Sequence, residues 1–505
     1  MLESYVKKIL SSKVYDLAEE TPLTLATALS KRVGCEVMLK REDLQSIFSF
    51  KLRGAYNKIA HLNPEERVRG VITASAGNHA QGVSVAANKL NVSATVVMGM
   101  NTPSIKIDAV KNYGTKVILH GDSYDEAAEF AYTKSEQEGY IYVHPYDDPL
   151  VIAGQGTIGM EIASQHPADI DAIFVPVGGG GLIAGIAAYF KYLRPKTRIV
   201  GVEAEGSACL YEAKRSGKRI KLEKETLDLF ADGVSVSQVG KEPFKVAKDY
   251  VDVVIKVSID EICAAIKDVY EDTRAIPEPA GALAVAGMKK YLLSARRNLS
   301  SVVSIVSGAN VNFDRLRHIS ERAEIGEERE AIFAATIKEE KGSFLKFCGG
   351  LGKRSITEFN YRKTDGQLAN VYVGLEIAQK EDRKDLLKKL RKKGYRVLDM
   401  TNNEAAKVHI RHMVGGPKQK SDTELLFRFE FPERPGALLE FLSVVAARWQ
   451  ISLFHYRNHG AAWGRVLVGF VSDNGERVEL CQYLEKIGYR YWEEDDNPAY
   501  KMFLS

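Results

Sequence analysis

The chain has 505 residues, more than one hydrophobic core supports, so at least two domains are expected. Its 70 Lys and Arg residues nearly balance 66 Asp and Glu residues, and the formal net charge of +4 argues against a nucleic-acid-binding protein. No apolar run reaches the roughly 18 residues of a membrane-spanning helix, and the N-terminus lacks the apolar core of a signal peptide.

The cysteines show no pattern of pairing or metal binding. No CxxC pair occurs, and no histidines stand near the cysteines at the spacing of a zinc site. We therefore expect isolated thiols, no metal and a reducing cytoplasm as the location. The five are Cys35, Cys209, Cys263, Cys348 and Cys481.

Short β-branched runs alternate with helical stretches between about residues 35 and 310. Helical periodicity is clear over residues 124–134 and 182–193. The alternation predicts an α/β fold in which a mainly parallel sheet is covered by helices on both faces. The predicted strands are residues 71–74, 94–98, 116–119, 172–177, 199–202 and 302–306.

The first distinctive motif, Ser49-Phe50-Lys51-Leu52-Arg53-Gly54-Ala55, opens a predicted helix with Ser49 as its N-cap. Lys51 then lies in the first turn, where the helix dipole disfavours a cation. A lysine that loses its proton easily suits Schiff-base chemistry. Taken alone, the pattern is more typical of a solvated surface lysine.

Three further motifs follow predicted strands, where parallel sheets bind their ligands. We expect their loops to lie along one edge of one sheet. The second and third can turn backbone amides toward an anion, although a capped turn or a flexible loop is the simpler interpretation of each. The motifs are Ser75-Ala76-Gly77-Asn78-His79, Gly178-Gly179-Gly180-Gly181-Leu182 and Ser307-Gly308-Ala309-Asn310.

The chain becomes charged over residues 311–330 and then repeats itself. Phe359-Asn360-Tyr361-Arg362 recurs as Phe454-His455-Tyr456-Arg457, at the offset of about 95 that other segments share. Each copy reads as an α+β unit with a small sheet under two helices. We predict a domain over residues 1–320, a connecting helix over 321–330, modules over 331–405 and 422–496, and a polar linker at 415–421.

Together, the four motifs resemble those of the fold-type II pyridoxal-phosphate enzymes, the tryptophan synthase β-like group, over residues 15–320. The resemblance implies that Lys51 forms the Schiff base with pyridoxal 5'-phosphate, beside Phe50. It also implies that Gly178, Gly179, Gly180, Gly181 and Leu182 bind the cofactor phosphate, Asn78 the ring hydroxyl and Ser307 the pyridine nitrogen. Ser75, Ala76, Gly77, Asn78 and His79 are the implied substrate loop.

A serine at the ring nitrogen has a chemical consequence. It is too weak an acid to keep that nitrogen protonated, so carbanion charge stays near Cα and favours loss of a β-substituent. Lys51 would remove the Cα proton. Ala76 stands where serine racemases carry a second serine, which argues against racemisation. Glu278, in Glu278-Pro279-Ala280-Gly281-Ala282, resembles a family motif near the site, but we expect it to support a loop rather than catalyse.

Within this group the pattern is most similar to the biosynthetic threonine dehydratases, which implies conversion of L-threonine to 2-oxobutanoate and ammonia. The repeats resemble the paired ACT-like regulatory domains of those enzymes. That resemblance implies inhibition by isoleucine, opposition by valine and a homotetramer. The implied effector contacts are Phe359, Asn360, Tyr361, Arg362, Phe454 and Tyr456.

Three alternatives remain open from sequence. The first is a serine-preferring or catabolic dehydratase, because serine and threonine differ by one methyl group and the sequence does not show the shape of the substrate pocket. A nonenzymatic amino-acid sensor would share the repeats. A nicotinamide-dependent oxidoreductase would use the glycine run, with Glu203 at the spacing of a ribose-binding acid.

Overall fold

The computed structural model divides into two compact units, unit 1 (Met1–Ile319) and unit 2 (Ser320–Ser505). Cys348 and the predicted linker at 415–421 lie outside the described residues. The structure describes residues 1–223, 227–295, 299–327, 329–338, 346–347, 350–351, 356–362, 367–378, 380–412, 424–432, 449, 451–457, 463–471 and 477–503.

The described residues of unit 1 form ten strands in two sheets. They are β1 (Leu23–Leu25), β2 (Glu36–Arg41), β3 (Val71–Ala74), β4 (Ala94–Met98), β5 (Lys116–Leu119), β6 (Ile141–Tyr142), β7 (Ala172–Pro176), β8 (Arg198–Ala204), β9 (Val253–Val257) and β10 (Ser301–Val306). One sheet has the order β1-β2-β10-β7-β8-β9, and the other has the order β5-β4-β3-β6. Every neighbouring pair is parallel except β1 and β2.

Helices separate these strands. They are α1 (Leu2–Leu10), α2 (Thr27–Val33), α3 (Lys51–Ala60), α4 (Pro64–Arg69), α5 (Asn78–Lys89), α6 (Ser104–Lys111), α7 (Tyr124–Glu138), α8 (Pro149–Gln165), α9 (Gly181–Leu193), α10 (Cys209–Ser216), α11 (Lys241–Tyr250), α12 (Ile259–Thr273) and α13 (Pro279–Ala295). A charged helix, α14 (Arg315–Gly326), follows β10.

The predicted α/β class and mainly parallel pairing are confirmed, but the expectation of one sheet is wrong. The loop after β3 belongs to the four-stranded sheet, whereas the loops after β7 and β10 belong to the six-stranded sheet. Strand periodicity is local and does not reveal which strands pair. The three loops therefore come from two sheets.

Glycines let the helix that begins with Lys51 pack closely against its neighbours. A Cβ on Gly82 of α5 would lie 3.0 Å from the Lys51 carbonyl carbon. A Cβ on Gly154 of α8 would lie 2.6 Å from the Arg53 carbonyl oxygen. Side chains larger than hydrogen at these two positions would push α5 and α8 away from α3.

A buried cluster of charged side chains holds α3 in its position. Arg53 is fully buried and donates to both carboxylate oxygens of Glu42, at 2.7 and 2.8 Å. It also donates to Glu161 on α8, which forms a further ion pair with Lys40 at 2.6 Å. The guanidinium matches two carboxylates with paired hydrogen bonds, which compensates for removing the charges from water.

Unit 2 contains two antiparallel sheets of equal topology. The strands are β11 (Glu330–Lys338), β12 (Ile356–Arg362), β13 (Leu368–Glu376), β14 (Arg396–Asp399), β15 (Glu424–Pro432), β16 (Ile451–Arg457), β17 (Trp463–Val471) and β18 (Arg490–Glu493). The helices are α15 (Lys380–Lys392), α16 (Glu404–Val408), α17 (Arg477–Ile487) and α18 (Pro498–Phe503). The sheet orders are β12-β13-β11-β14 and β16-β17-β15-β18.

The predicted repeat is confirmed at the level of register. Phe359 pairs with Val373 and Phe454 pairs with Val468, so the two sheets match residue for residue. The copies share a core that includes Tyr372 from the first and Leu467 from the second. Equivalent asparagines, Asn403 and Asn497, bond to one another at 3.2 Å.

Across the residues that the structure describes, no helix combines the length and the hydropathy needed to cross a membrane.

Arg53→Met is expected to destabilise unit 1 by about 3–5 kcal/mol, because it leaves the buried Glu42 carboxylate without a cation and Glu161 with Lys40 alone. Urea unfolding followed by far-ultraviolet circular dichroism measures the loss. Lys7→Met, which breaks an exposed pair with Glu3, is the control and is expected to change nothing measurable. A loss for Arg53→Met below about 1 kcal/mol would contradict the role of the cluster.

Candidate active site

Lys51 is the first residue of α3, and Phe50 rather than Ser49 is its N-cap. The helix boundary thus lies one residue after the predicted cap, but Phe50 itself has helical dihedral angles (φ −63°, ψ −15°) and makes no side-chain capping bond. The Ser49 hydroxyl still accepts from the Lys51 N–H at 3.4 Å. It thus satisfies one of the amides that a helix start leaves without an internal partner.

The Lys51 amine lies inside unit 1. Its Nζ donates to the Pro145 carbonyl oxygen at 3.1 Å. Burial of the ammonium lowers the pKa of Lys51 from 10.5 to about 8, while the Glu278 carboxylate opposes the shift. The sequence predicted an easily deprotonated lysine from its place at a helix start, and in the structure burial of the ammonium lowers its pKa.

Backbone bonds connect the loop before Lys51 to the loop after β10. The Phe50 N–H donates to the Ser307 carbonyl at 3.3 Å, and the Ala309 N–H donates to the Phe48 carbonyl at 2.9 Å. The Ser307 hydroxyl donates to the Ala280 carbonyl at 3.3 Å. The first and fourth motifs are therefore brought together, although about 250 residues separate them.

Asn78 belongs to a polar chain that also includes Glu278 and Asn310. Its Nδ2 donates to Glu278 Oε1 at 2.6 Å, and its Oδ1 accepts from Asn310 Nδ2 at 2.7 Å. Burial raises the pKa of Glu278 to about 7, and the charge of Asp232 adds to the shift. Sequence analysis treated Glu278 as loop support and gave Asn310 no role, because neither has a local signal that joins it to Asn78.

The loop at residues 75–79 is arranged by its own side chains. The Ser75 hydroxyl accepts from the Gly77 N–H at 3.2 Å. The His79 Nε2 donates to the Val143 carbonyl at 2.9 Å, and burial lowers the pKa of His79 to about 3. The imidazole is therefore neutral and held in the interior, which leaves backbone amides as the groups that the loop offers to an anion.

The glycine run ends at the start of α9. Gly180 has a φ of +90°, a backbone conformation that favours glycine. A Cβ on Gly179 would lie 2.2 Å from the ring of Tyr146, so the aromatic ring packs directly against the backbone. The first-turn amides of α9, including that of Leu182, have no helical acceptor and suit a phosphate dianion.

Residues 145 and 146 bring Lys51 next to the glycine run. The Pro145 carbonyl accepts from Lys51, and the ring of Tyr146, the next residue, covers Gly179. A reactive amine, a glycine nest and the uncharged Ser307 are the groups that pyridoxal phosphate requires. The residues present therefore fit this cofactor. No local pattern in the sequence points to the contribution of Tyr146.

The structure weakens the alternative of a nicotinamide site. Glu203 is fully buried, and its two carboxylate oxygens accept from the Leu210 and Tyr211 N–H groups at 2.8 Å each. Burial raises the pKa of Glu203 to about 8. An acid engaged at the start of α10 in this way is not available to a ribose.

Within the described part of the chain, no group of histidine, cysteine, aspartate or glutamate side chains is arranged to hold a metal ion. The candidate effector residues are far along the chain from this site, on β12 and β16 of unit 2.

Two protein families match the chain. A family described as "Pyridoxal-phosphate dependent enzyme" covers residues 14–308. A second, described as "C-terminal regulatory domain of Threonine dehydratase", matches twice, over residues 321–410 and 415–504.

Individual relatives agree with the families. The biosynthetic L-threonine dehydratase IlvA of Burkholderia multivorans is 51% identical over 99% of both chains. Its Escherichia coli counterpart is 49% identical over 99% of this chain and 97% of its own. The solved processed form of threonine deaminase isoform 2 from Solanum lycopersicum is 50% identical, covers 64% of this chain and 93% of its own, and has a TM-score of 0.62. Maize serine racemase is 33% identical, covers 63% and 95%, and has a TM-score of 0.59.

We expect covalent attachment of pyridoxal phosphate to the cofactor-free chain to accelerate with pH through a midpoint near the Lys51 pKa of about 8. The neutral amine is the reactive form, so a lysine with an ordinary pKa would give a midpoint more than two pH units higher. Stopped-flow absorbance over a pH series measures the rate, and a midpoint above 10 would contradict the assignment.

Glu278→Gln is expected to move this midpoint to lower pH, because the carboxylate charge that favours the Lys51 ammonium is lost. Glu271→Gln, in the last turn of α12, is the matched control and should leave the midpoint unchanged. An upward shift for Glu278→Gln would show that the carboxylate does not act on Lys51 as a charge.

Proposed function

The chain belongs to the threonine dehydratase family of pyridoxal-phosphate-dependent enzymes, and from this premise we propose that the site around Lys51 converts L-threonine to 2-oxobutanoate and ammonia. This reaction is the first committed step of isoleucine biosynthesis. The observation that carries the assignment is the buried Lys51 amine, with its pKa lowered to about 8, beside the glycine run.

The chain's own groups divide the work of holding the cofactor. Lys51 would hold it covalently beside Phe50, and Asn78 has a second Nδ2 hydrogen to offer the ring hydroxyl. Ser307 would contact the ring nitrogen without placing a charge there. The phosphate would bind the amides of Gly178, Gly179, Gly180, Gly181 and Leu182.

Lys51 is also the base for the proton transfer from the substrate Cα. When bound, pyridoxal phosphate supplies a conjugated ring that draws electrons from the substrate Cα. The neutral Lys51 amine would take the Cα proton, and a base with a pKa near the working pH does so efficiently. Loss of the β-hydroxyl as water, followed by hydrolysis that takes up one water and releases the nitrogen as ammonia, would give 2-oxobutanoate.

The substrate carboxylate fits the loop from Ser75 to His79. Its small residues expose backbone amides at the start of α5, where the helix dipole favours an anion. Ala76 offers no hydroxyl that could deliver a proton to Cα from the face opposite Lys51. The loop therefore favours elimination over racemisation. A preference for threonine over serine rests on a pocket for one methyl group, worth about 1–3 kcal/mol.

Unit 2 is proposed to bind amino-acid effectors, with isoleucine inhibiting and valine opposing it. The candidate contacts lie at equivalent positions of β12 and β16, which are the edge strands of their sheets. Edge strands have unpaired N–H and C=O groups, which complement the carboxylate and ammonium of an amino acid. The residues are Phe359, Asn360, Tyr361, Arg362, Phe454 and Tyr456.

A homotetramer completes the proposal. Light scattering would then give four times the 56.0 kDa of one chain.

Lys51→Ala is expected to abolish release of 2-oxobutanoate from L-threonine together with the visible absorption of the bound cofactor. Borohydride reduction of the wild type followed by peptide mapping should label Lys51. Lys58→Ala, on the same helix but paired with Asp148, is the matched control and should keep both properties. Label on another lysine would overturn the assignment.

Tyr361→Ala and Tyr456→Ala are each expected to raise the isoleucine concentration for half-inhibition about tenfold, the effect of losing about 1.4 kcal/mol of binding. Inhibition curves at fixed threonine measure it. Equal curves for wild type and both variants would remove these positions from the effector site, while an absence of isoleucine inhibition in the wild type would remove the regulatory proposal.

A further inference from the structure

One buried amide in unit 1 has no hydrogen-bond partner among the described residues. Gln155, on α8, is 1% exposed, and neither its Nε2 nor its Oε1 meets a donor or an acceptor. Buried polar side chains in folded proteins are nearly always hydrogen-bonded, and an exception calls for an explanation. The surroundings of Gln155 provide one.

The Gln155 amide lies between the starts of two helices. A Cβ on Gly181, the first residue of α9, would lie 2.8 Å from its Oε1. A Cβ on Gly54, one turn beyond Lys51 on α3, would lie 3.1 Å from its Nε2. The amide therefore borders both the helix that follows the glycine run and the helix that begins with Lys51.

A neutral amide suits this place. The first turn of α9 has backbone N–H groups without helical acceptors and favours an anion. A glutamine adds a donor there, and a half-turn of its terminal amide exchanges nitrogen and oxygen without changing its shape. A lysine or arginine would add a buried charge, whereas an aliphatic residue would add no donor.

We infer that Gln155 donates a hydrogen bond to the phosphate group of the cofactor and so helps to hold that cofactor within reach of Lys51. The inference rests on the proposed function and adds a side-chain donor to the glycine amides. Gln155 is a positioning residue, because the phosphate lies outside the reacting bonds.

The test compares two ligands that differ only in the phosphate. Gln155→Met keeps the length of the side chain and removes its hydrogen bond. For the cofactor-free full chain, titration followed by visible absorption should give a Kd for pyridoxal phosphate at least about tenfold weaker than wild type, as expected for one charge-assisted bond. The Kd for pyridoxal, which lacks the phosphate, should not change.

The stability of the cofactor-free chain provides a second measurement. Gln155→Met removes an amide without a partner, so its melting temperature should equal or exceed that of wild type. Gln165→Met is the matched control, since it changes the same residue type on the same helix but removes bonds to Glu20, Thr21 and Lys40. It should lower the melting temperature and leave the ratio of the two Kd values unchanged.

Two results would overturn the inference: an unchanged Kd for pyridoxal phosphate in Gln155→Met, or an equal loss for both ligands, which would indicate packing alone. A wild-type chain that binds neither ligand covalently at Lys51 would instead refute the proposed function.

Discussion

The position of Lys51 depends on the charge cluster two residues farther along its helix. Arg53 is fully buried and satisfied by Glu42 after β2 and by Glu161 on α8. Because an unpaired charge there would be costly, α3 has one favourable position between these carboxylates. Close packing of α5 and α8 at Gly82 and Gly154 further limits where α3 can lie. A reactive amine requires this precision, since a displacement of about 1 Å can cost a hundredfold in rate.

Around Lys51, burial is the main influence on which side chains carry a charge. Burial lowers the pKa of Lys51 to about 8, that of His79 to about 3, and raises that of Glu278 to about 7. One cause, desolvation, thus brings an amine and a carboxyl close to neutral pH while it keeps an imidazole uncharged. The site is therefore suited to proton transfer at a carbon atom.

The two copies of the sequence repeat in unit 2 form similar sheets that pack around a shared hydrophobic core. Its two sheets have the same strand order, the same register and a shared core that includes Tyr372 and Leu467. Two similar modules with a common core can respond together when a ligand favours one arrangement over another. In both copies the first strand listed, β12 or β16, lies at the edge of its sheet.

The sequence by itself determined the α/β class, most strand positions, the duplicated C-terminal half and the loops that contain Lys51, Asn78, the glycine run and Ser307. These features have local signals, namely periodicity, short motifs and a fixed repeat offset. The tertiary structure was needed to show that loops from two sheets form the site, that burial lowers the pKa of Lys51, and that Glu278 and Gln155 border the site. Such contacts join residues about 100 to 230 positions apart, and side-chain burial depends on packing that no local pattern encodes.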